Sequence, residues 1–258
     1  MLHSRHWAGI CMVVVVLALT ACGGGGGSVA AERCASAGTQ PKIFNGSQCG
    51  QPNRSPVVQL AMYQGESVYT CSGVMLTPTK VLSAAHCFPA GTQRVTALVH
   101  SDSGAVGEVS ATSWVRHPEY VGEASNFLND AAVVTLSAAM PNPSMPLLVS
   151  APSREGDRVF IAGWGLPSTE LAVGSAVLAG VSELQLLVDF NGQLSNTCSG
   201  DSGGPMYRAV GGRQGVMGLT SSGTTGACGE ADYSLYTNTQ APSILNFIRA
   251  QAPGAAEI

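Results

Sequence analysis

Apolar and polar residues alternate in short runs along most of this chain, and glycine, proline and small polar residues bound the runs. Period-two patterning of this length predicts β-strands rather than helices. Strands are predicted at 57–62, 67–76, 81–87, 94–100, 108–115 and 130–136. Gly65-Glu66 and Thr77-Pro78-Thr79-Lys80 read as turns between the first three, and a loop follows Pro118 as far as Asn129. Pro141, Pro143 and Pro146 mark a connector at about 137–156. A second series of strands is predicted at 158–165, 175–188, 205–208, 214–221 and 233–238. Helical spacing occurs at 243–249, with Ser243 suited to the N-cap and Pro253-Gly254 beyond the end. The pattern predicts an all-β fold: two six-stranded antiparallel β-barrels, about 43–150 and 151–258, packed together with a short C-terminal helix.

Composition agrees with short strands and many turns. The chain has 258 residues, 32 of them glycine, with only 11% charged residues. The net charge of −4 is mild, and no basic run interleaved with aromatics occurs, which argues against nucleic acid as a partner. Residues 1–21 read as an export signal. His3, Arg5 and His6 precede an apolar run at 10–19, too short for a membrane span of about 20 residues. The run ends Leu19-Thr20-Ala21-Cys22, which resembles a bacterial lipoprotein signal. That resemblance implies cleavage before Cys22 and lipid attachment on it; the alternative is an ordinary signal peptide with an incidental cysteine. Gly23 to Gly27 and Ser28 suit a flexible tether, so residues 22–42 are expected to link a lipid anchor to a folded domain at 43–258. The expected location is a bacterial cell envelope, outer membrane or periplasm-facing, or secretion if no lipid is attached. Gly23, rather than an acid, after Cys22 points to outer-membrane delivery.

Of eight cysteines, Cys11 and Cys22 belong to the signal region, leaving Cys34, Cys49, Cys71, Cys87, Cys198 and Cys228. An even number in an exported chain points to disulfides, and no spacing suits a metal site. The candidate chemistry lies in Cys198-Ser199-Gly200-Asp201-Ser202-Gly203-Gly204-Pro205. A serine flanked by glycines can be a plain turn. It can also be a nucleophile whose loop aims backbone N–H groups at a substrate oxygen. A nucleophilic serine needs a base and a group that orients the base. Three histidines follow the signal: His86 at a strand end, His100 without a motif, and His117 in what reads as a surface turn.

Several ordered motifs resemble the chymotrypsin/trypsin family of serine endopeptidases, over about residues 43–250. They are Ala84-Ala85-His86-Cys87, Asp130-Ala131-Ala132-Val133-Val134-Thr135-Leu136, Ile161-Ala162-Gly163-Trp164-Gly165 and Gly200-Asp201-Ser202-Gly203-Gly204-Pro205. Ser221-Ser222-Gly223 stands where the family has Ser-Trp-Gly. The resemblance implies Ser202 as nucleophile, His86 as base, Asp130 as its orienting acid, and the N–H groups of Gly200 and Ser202 as oxyanion hole. It also implies a zymogen cut after Lys42 by another protease, with the freed amino group of Ile43 pairing with Asp201. It implies disulfides Cys71–Cys87 and Cys198–Cys228; Cys34 and Cys49 remain and are expected to pair. The substrate would be a protein or peptide, and no cofactor is required.

The specificity pocket departs from the trypsin pattern. Its expected residues are Asn196, Thr197, Ser221, Gly223 and Ser234. Asn196 stands at the position where trypsin-type enzymes carry an aspartate, which favours a small or medium uncharged side chain before the cut. Asp232 or Glu230 could instead meet a basic one. The stretch from Leu187 to Cys198 is shorter than in most relatives, which carry a helix and a disulfide loop there. A different class of function is also open: a catalytically idle protease-fold protein used for binding or adhesion.

Overall fold

The computed structural model describes residues 43, 46–49, 52–101, 106–123, 126–166, 170–192, 194–224, 228–229 and 232–258. The expected signal, tether, Cys22, Cys34, Lys42 and Glu230 lie outside the described residues.

The chain is all-β, as expected. Strand β1 (Ser47–Gln48) precedes the first barrel, which consists of β2 (Val57–Gln64), β3 (Ser67–Thr77), β4 (Lys80–Ser83), β5 (Arg94–His100), β6 (Val106–Arg116) and β9 (Ala132–Leu136). It closes in the order β2-β3-β4-β9-β6-β5, every pair antiparallel. The β2–β3 hairpin turns at Gly65, whose φ of 58° suits a residue without Cβ, and Gln64 faces Ser67. Between β6 and β9 a small hairpin of β7 (Val121–Glu123) and β8 (Asn126–Leu128) occupies what the sequence pattern gave as plain loop.

The second unit contains β10 (Arg158–Gly163), β11 (Ala172–Val177), β12 (Gly180–Val181), β13 (Gln185–Asp189), β14 (Pro205–Val210), β15 (Arg213–Gly223) and β16 (Tyr233–Asn238). With β1 these make one eight-stranded sheet, β1-β11-β10-β14-β15-β16-β13-β12, curled as a half-barrel, where six strands were expected. The additional strands have local causes. The stretch 175–188 was expected as one strand, but it breaks at Leu178-Ala179, between β11 and β12, and again where Ser182 exchanges hydrogen bonds with the backbone of Gln185, between β12 and β13. The short β1 adds to the edge of β11. Helix α1 (Pro242–Gln251) starts one residue before Ser243, with Pro242 in its first turn and Ala241 at the N-cap.

Three apolar layers follow from alternation along strands. In β9, Ala132, Val134 and Leu136 enter the first barrel's core, while Val133 faces the other way. That second face joins Trp164, Leu171, Val216, Leu219, Ile244 and Phe247, so the layer between the two units draws on both of them and on α1. The remaining layer, with Val159, Ile161, Met206, Met217 and Tyr236, fills the second unit. Strands buried on both faces therefore read as continuous apolar runs rather than strict alternation.

Candidate active site

His86 is not in a strand. Strand β4 ends at Ser83, and the chain turns through a single 3₁₀ turn at Ala85–Cys87. The disulfide Cys71–Cys87 ties this turn to β3. These sulfurs are the neighbours of His86 that would otherwise suit a metal, and as a disulfide they offer no thiolate. Asp130, immediately before β9, is completely buried. Its Oδ1 accepts the backbone N–H of His86 at 2.8 Å, and its Oδ2 lies 2.7 Å from His86 Nδ1. Oδ2 also accepts the Ser221 hydroxyl at 2.6 Å, and Thr237 Oγ1 donates to the Asp130 carbonyl at 3.0 Å. A carboxylate only accepts, so Nδ1 carries the ring hydrogen and Nε2 presents its lone pair. The Phe127 ring in β8 stacks on the imidazole, with centroids 4.9 Å apart.

Ser202 lies on the loop before β14, and this loop is locked against the first barrel. The Ser202 carbonyl accepts the Ser72 N–H at 2.8 Å, and the Ser72 hydroxyl donates to the Gly200 carbonyl at 2.9 Å. The same hydroxyl accepts the Trp164 N–H at 2.8 Å. Gly203 has φ 78°, and a Cβ there would lie 2.5 Å from the Ser72 carbonyl and 2.7 Å from the Ala84 nitrogen. Only glycine lets this loop approach the turn that carries His86 so closely. Among the described residues, the N–H groups of Gly200 and Ser202 have no protein acceptor, whereas those of Asp201, Gly203 and Gly204 do. Cys198–Cys228 braces the same loop.

Asp201 turns inward. Its Oδ1 accepts the Gly165 N–H and its Oδ2 the Cys198 N–H, both at 2.8 Å. Burial pushes its carboxyl up to about 7, against the opposing pull of those two donors. A Cβ at Gly165 would lie 2.5 Å from the Asp201 carboxyl carbon, so the Gly-Trp-Gly turn leaves room for this acid. Ile43 is fully buried in the second unit's core, and Gly46 donates its N–H to the Ile43 carbonyl at 2.5 Å.

A cavity of about 310 Å³ opens beside Ser202, with Thr197, Ser221, Gly223, Ser234 and Asp232 in its wall. Asn196 is not part of that wall. It is fully buried behind it, donating Nδ2–H to Asp232 Oδ2 at 3.2 Å and accepting the Ser234 hydroxyl at 2.5 Å. The acid of the pocket is therefore Asp232. Asp232 stands immediately before β16, and the sequence pattern did not indicate its place in the wall.

The other two histidines are structural. His117 was read as lying in a surface turn, but it is buried: Nδ1 accepts the Glu119 N–H at 3.2 Å and the ring packs on Phe247 of α1. His100 stacks on Trp164 at 4.0 Å and pairs with Gln59, and burial lowers its pKa. The remaining described cysteine, Cys49, is in a disulfide.

Comparison with known proteins identifies relatives of this chain. Kallikrein-12 of Homo sapiens is 29% identical over 228 residues, covering 76% of this chain and 85% of that protein. Brachyurin of Leptuca pugilator is 30% identical over 196 residues, covering 65% and 81%. Chymotrypsin-like elastase family member 1 of Homo sapiens is 27% identical over 218 residues, covering 74% and 84%. The family described as Trypsin matches residues 43–248. The chain belongs to the trypsin family of serine proteases.

Proposed function

We propose that this protein is a serine endopeptidase that hydrolyses peptide bonds through an acyl-enzyme on Ser202. The observation that carries the proposal is the imidazole of His86, held by Asp130 at 2.7 Å with Nε2 free to accept a proton. Ser202 Oγ attacks the scissile carbonyl and His86 Nε2 takes its proton. The C–N bond breaks as His86 returns that proton to the leaving amine. A water then repeats the sequence on the ester and frees the acid product. Asp130 and Ser221 hold the imidazole in register and stabilise its charged form. The N–H groups of Gly200 and Ser202 receive the oxyanion, each contributing roughly 3 kcal/mol to lowering the barrier. A fluorophosphonate probe is expected to label the processed protein, and Ser202→Ala is expected to abolish labelling and peptide hydrolysis. Unlabelled processed protein would mean a catalytically idle fold used for binding.

Two further elements belong to the proposal. The enzyme is made as a zymogen, cut after Lys42 by another protease, and the Ile43 ammonium then pairs with Asp201. Support comes from the inward carboxyl of Asp201 with its raised pKa, and from the buried Ile43 side chain. The chain is anchored by lipid on Cys22 and held away from the membrane by the glycine tether. Among the described residues no helix is long and apolar enough to cross a membrane. Labelled fatty acid should enter the wild-type protein in its native host and be absent from Cys22→Ser; equal incorporation would refute the anchor.

A further inference from the structure

We infer that Ser72 is a positioning residue for the proposed oxyanion hole: its side-chain hydroxyl fixes the direction in which the Gly200 N–H points. The inference rests on the endopeptidase reading and concerns a residue outside the proposed triad, on β3 of the first barrel. Ser72 is fully buried. Its main chain is held at both ends, since its N–H donates to the Ser202 carbonyl at 2.8 Å and its carbonyl accepts the Ser83 hydroxyl at 2.7 Å. The side chain therefore starts from a fixed base. Its hydroxyl accepts the Trp164 N–H at 2.8 Å and donates to the Gly200 carbonyl at 2.9 Å. A hydroxyl that accepts and donates at once is polarised in both directions, which strengthens each bond.

Three successive N–H groups of one turn hold the nucleophile loop. Trp164 reaches it through the Ser72 hydroxyl, Gly165 donates to Asp201 Oδ1 at 2.8 Å, and Leu166 donates to the Ser199 carbonyl at 2.8 Å. The Ser199 carbonyl belongs to the same peptide plane as the Gly200 N–H, and the Gly200 carbonyl belongs to the next plane. The two planes meet at the Gly200 Cα, with φ 96°, where no side chain limits rotation. Their mutual angle is therefore set by what holds the two carbonyls: Leu166 on one side, the Ser72 hydroxyl on the other. Of the three links, the one through Ser72 comes from the barrel that also carries His86. Removing the hydroxyl leaves the Gly200 carbonyl and the Trp164 N–H without this partner. Rotation at Gly200 is then restrained from one side, and its N–H no longer holds one direction. The cost falls on the step in which charge develops on the substrate oxygen, so it lowers kcat rather than ground-state binding.

The test uses the processed full-length enzyme, one peptide p-nitroanilide that wild type cleaves, and the aldehyde of the same peptide as an inhibitor. The aldehyde reproduces the first tetrahedral adduct: a bond forms from Ser202 Oγ to the carbonyl carbon, the π electron pair moves to the carbonyl oxygen, and His86 takes the serine proton. Ser72→Ala is expected to lower kcat roughly tenfold and to weaken aldehyde inhibition by a similar factor, with KM within about twofold of wild type. The acid limb of the pH profile is expected to stay in place, because the hydrogen bonds of Ser72 go to Ser83, Trp164, Gly200 and Ser202 rather than to His86 or Asp130. A kcat within about twofold of wild type, a lower kcat without weaker aldehyde inhibition, or a shifted acid limb overturns the role of Ser72 alone. Wild type that neither cleaves peptides nor reacts with a fluorophosphonate overturns the endopeptidase reading, and the role of Ser72 with it. If Ser72→Ala does not fold, Ser72→Gly removes the same hydroxyl and decides by the same measurements.

Discussion

Asp201 is the residue whose ionisation the fold perturbs most visibly in this loop. Its ordinary value of 3.8 rises to about 7 because burial disfavours the charged form. The folded chain therefore keeps a proton that the unfolded chain releases near pH 4. Stability from this residue is fully present below about pH 4 and is lost as the pH rises through about 7. The loss amounts to up to about 4 kcal/mol. Uncut Lys42→Gln protein is expected to melt at progressively lower temperature across that window. Adding Asp201→Asn should flatten the slope, and an unchanged slope would remove Asp201 as its cause. A neighbouring ammonium reverses the direction, since an opposite charge favours the carboxylate. At this scale the sequence pointed to the residues proposed to carry the chemistry, because Ser202, His86 and Asp130 sit in short motifs. It did not show that Asp232 rather than Asn196 lines the pocket, because that depends on contacts of Asn196 with Asp232 and Ser234, which are far from it in sequence.

Among the elements, the decisive ones are short and irregular. His86 sits on a 3₁₀ turn at Ala85–Cys87, and Ser202 on a loop crossed by Gly200 and Gly203 at positive φ. Neither has the regular backbone hydrogen bonding of a strand, so each is held by a disulfide and by contacts across the two units. Cys198–Cys228 closes a separation of 30 residues, for which chain entropy gives about 4 kcal/mol of stabilisation. Replacing both cysteines by alanine should lower the unfolding free energy in denaturant titration by about that amount. It should also reduce kcat/KM, because the nucleophile loop and the wall of the cavity lose their link. Full activity in the double variant would show that Ser72 and Gly203 hold the loop without help. Strand periodicity located β2 to β5 and β14 to β16 to within a few residues. It merged β11, β12 and β13 into one strand, because the break at Leu178-Ala179 and the tight turn made by Ser182 leave little trace in an alternating pattern.

In the whole molecule, the proposed site exists only where the two units meet. Asp130 and His86 come from the first, Ser202 and Ser221 from the second, and Ser72 bonds across the boundary to Gly200 and Trp164. The Trp164 indole donates to the Val57 carbonyl at 3.3 Å and stacks on His100, so the first barrel also supports the turn that borders Asp201. Activation is expected to act across this boundary. Lys42→Gln should remain inactive with the activating protease present, whereas cut wild type gains activity; full activity in uncut Lys42→Gln would refute the switch. Non-reducing electrophoresis of the cut protein should show the pro-segment still attached through a Cys34–Cys49 disulfide. A free pro-segment would refute that link and any anchoring of the mature enzyme through it.

The sequence by itself determined the all-β class, through side-chain alternation and closely spaced turn residues. The family resemblance carried by its ordered motifs, rather than alternation or spacing, implied the three residues of the proposed triad and the pairing of Cys71 with Cys87 and of Cys198 with Cys228. Only the tertiary structure decided that the second unit is an eight-stranded half-barrel, that His117 is buried beneath α1, and that Asn196 stands behind Asp232. Each of those depends on contacts between residues far apart in sequence. Local pattern fixes which face of a strand is apolar, whereas strand order and loop path are set by which faces find one another.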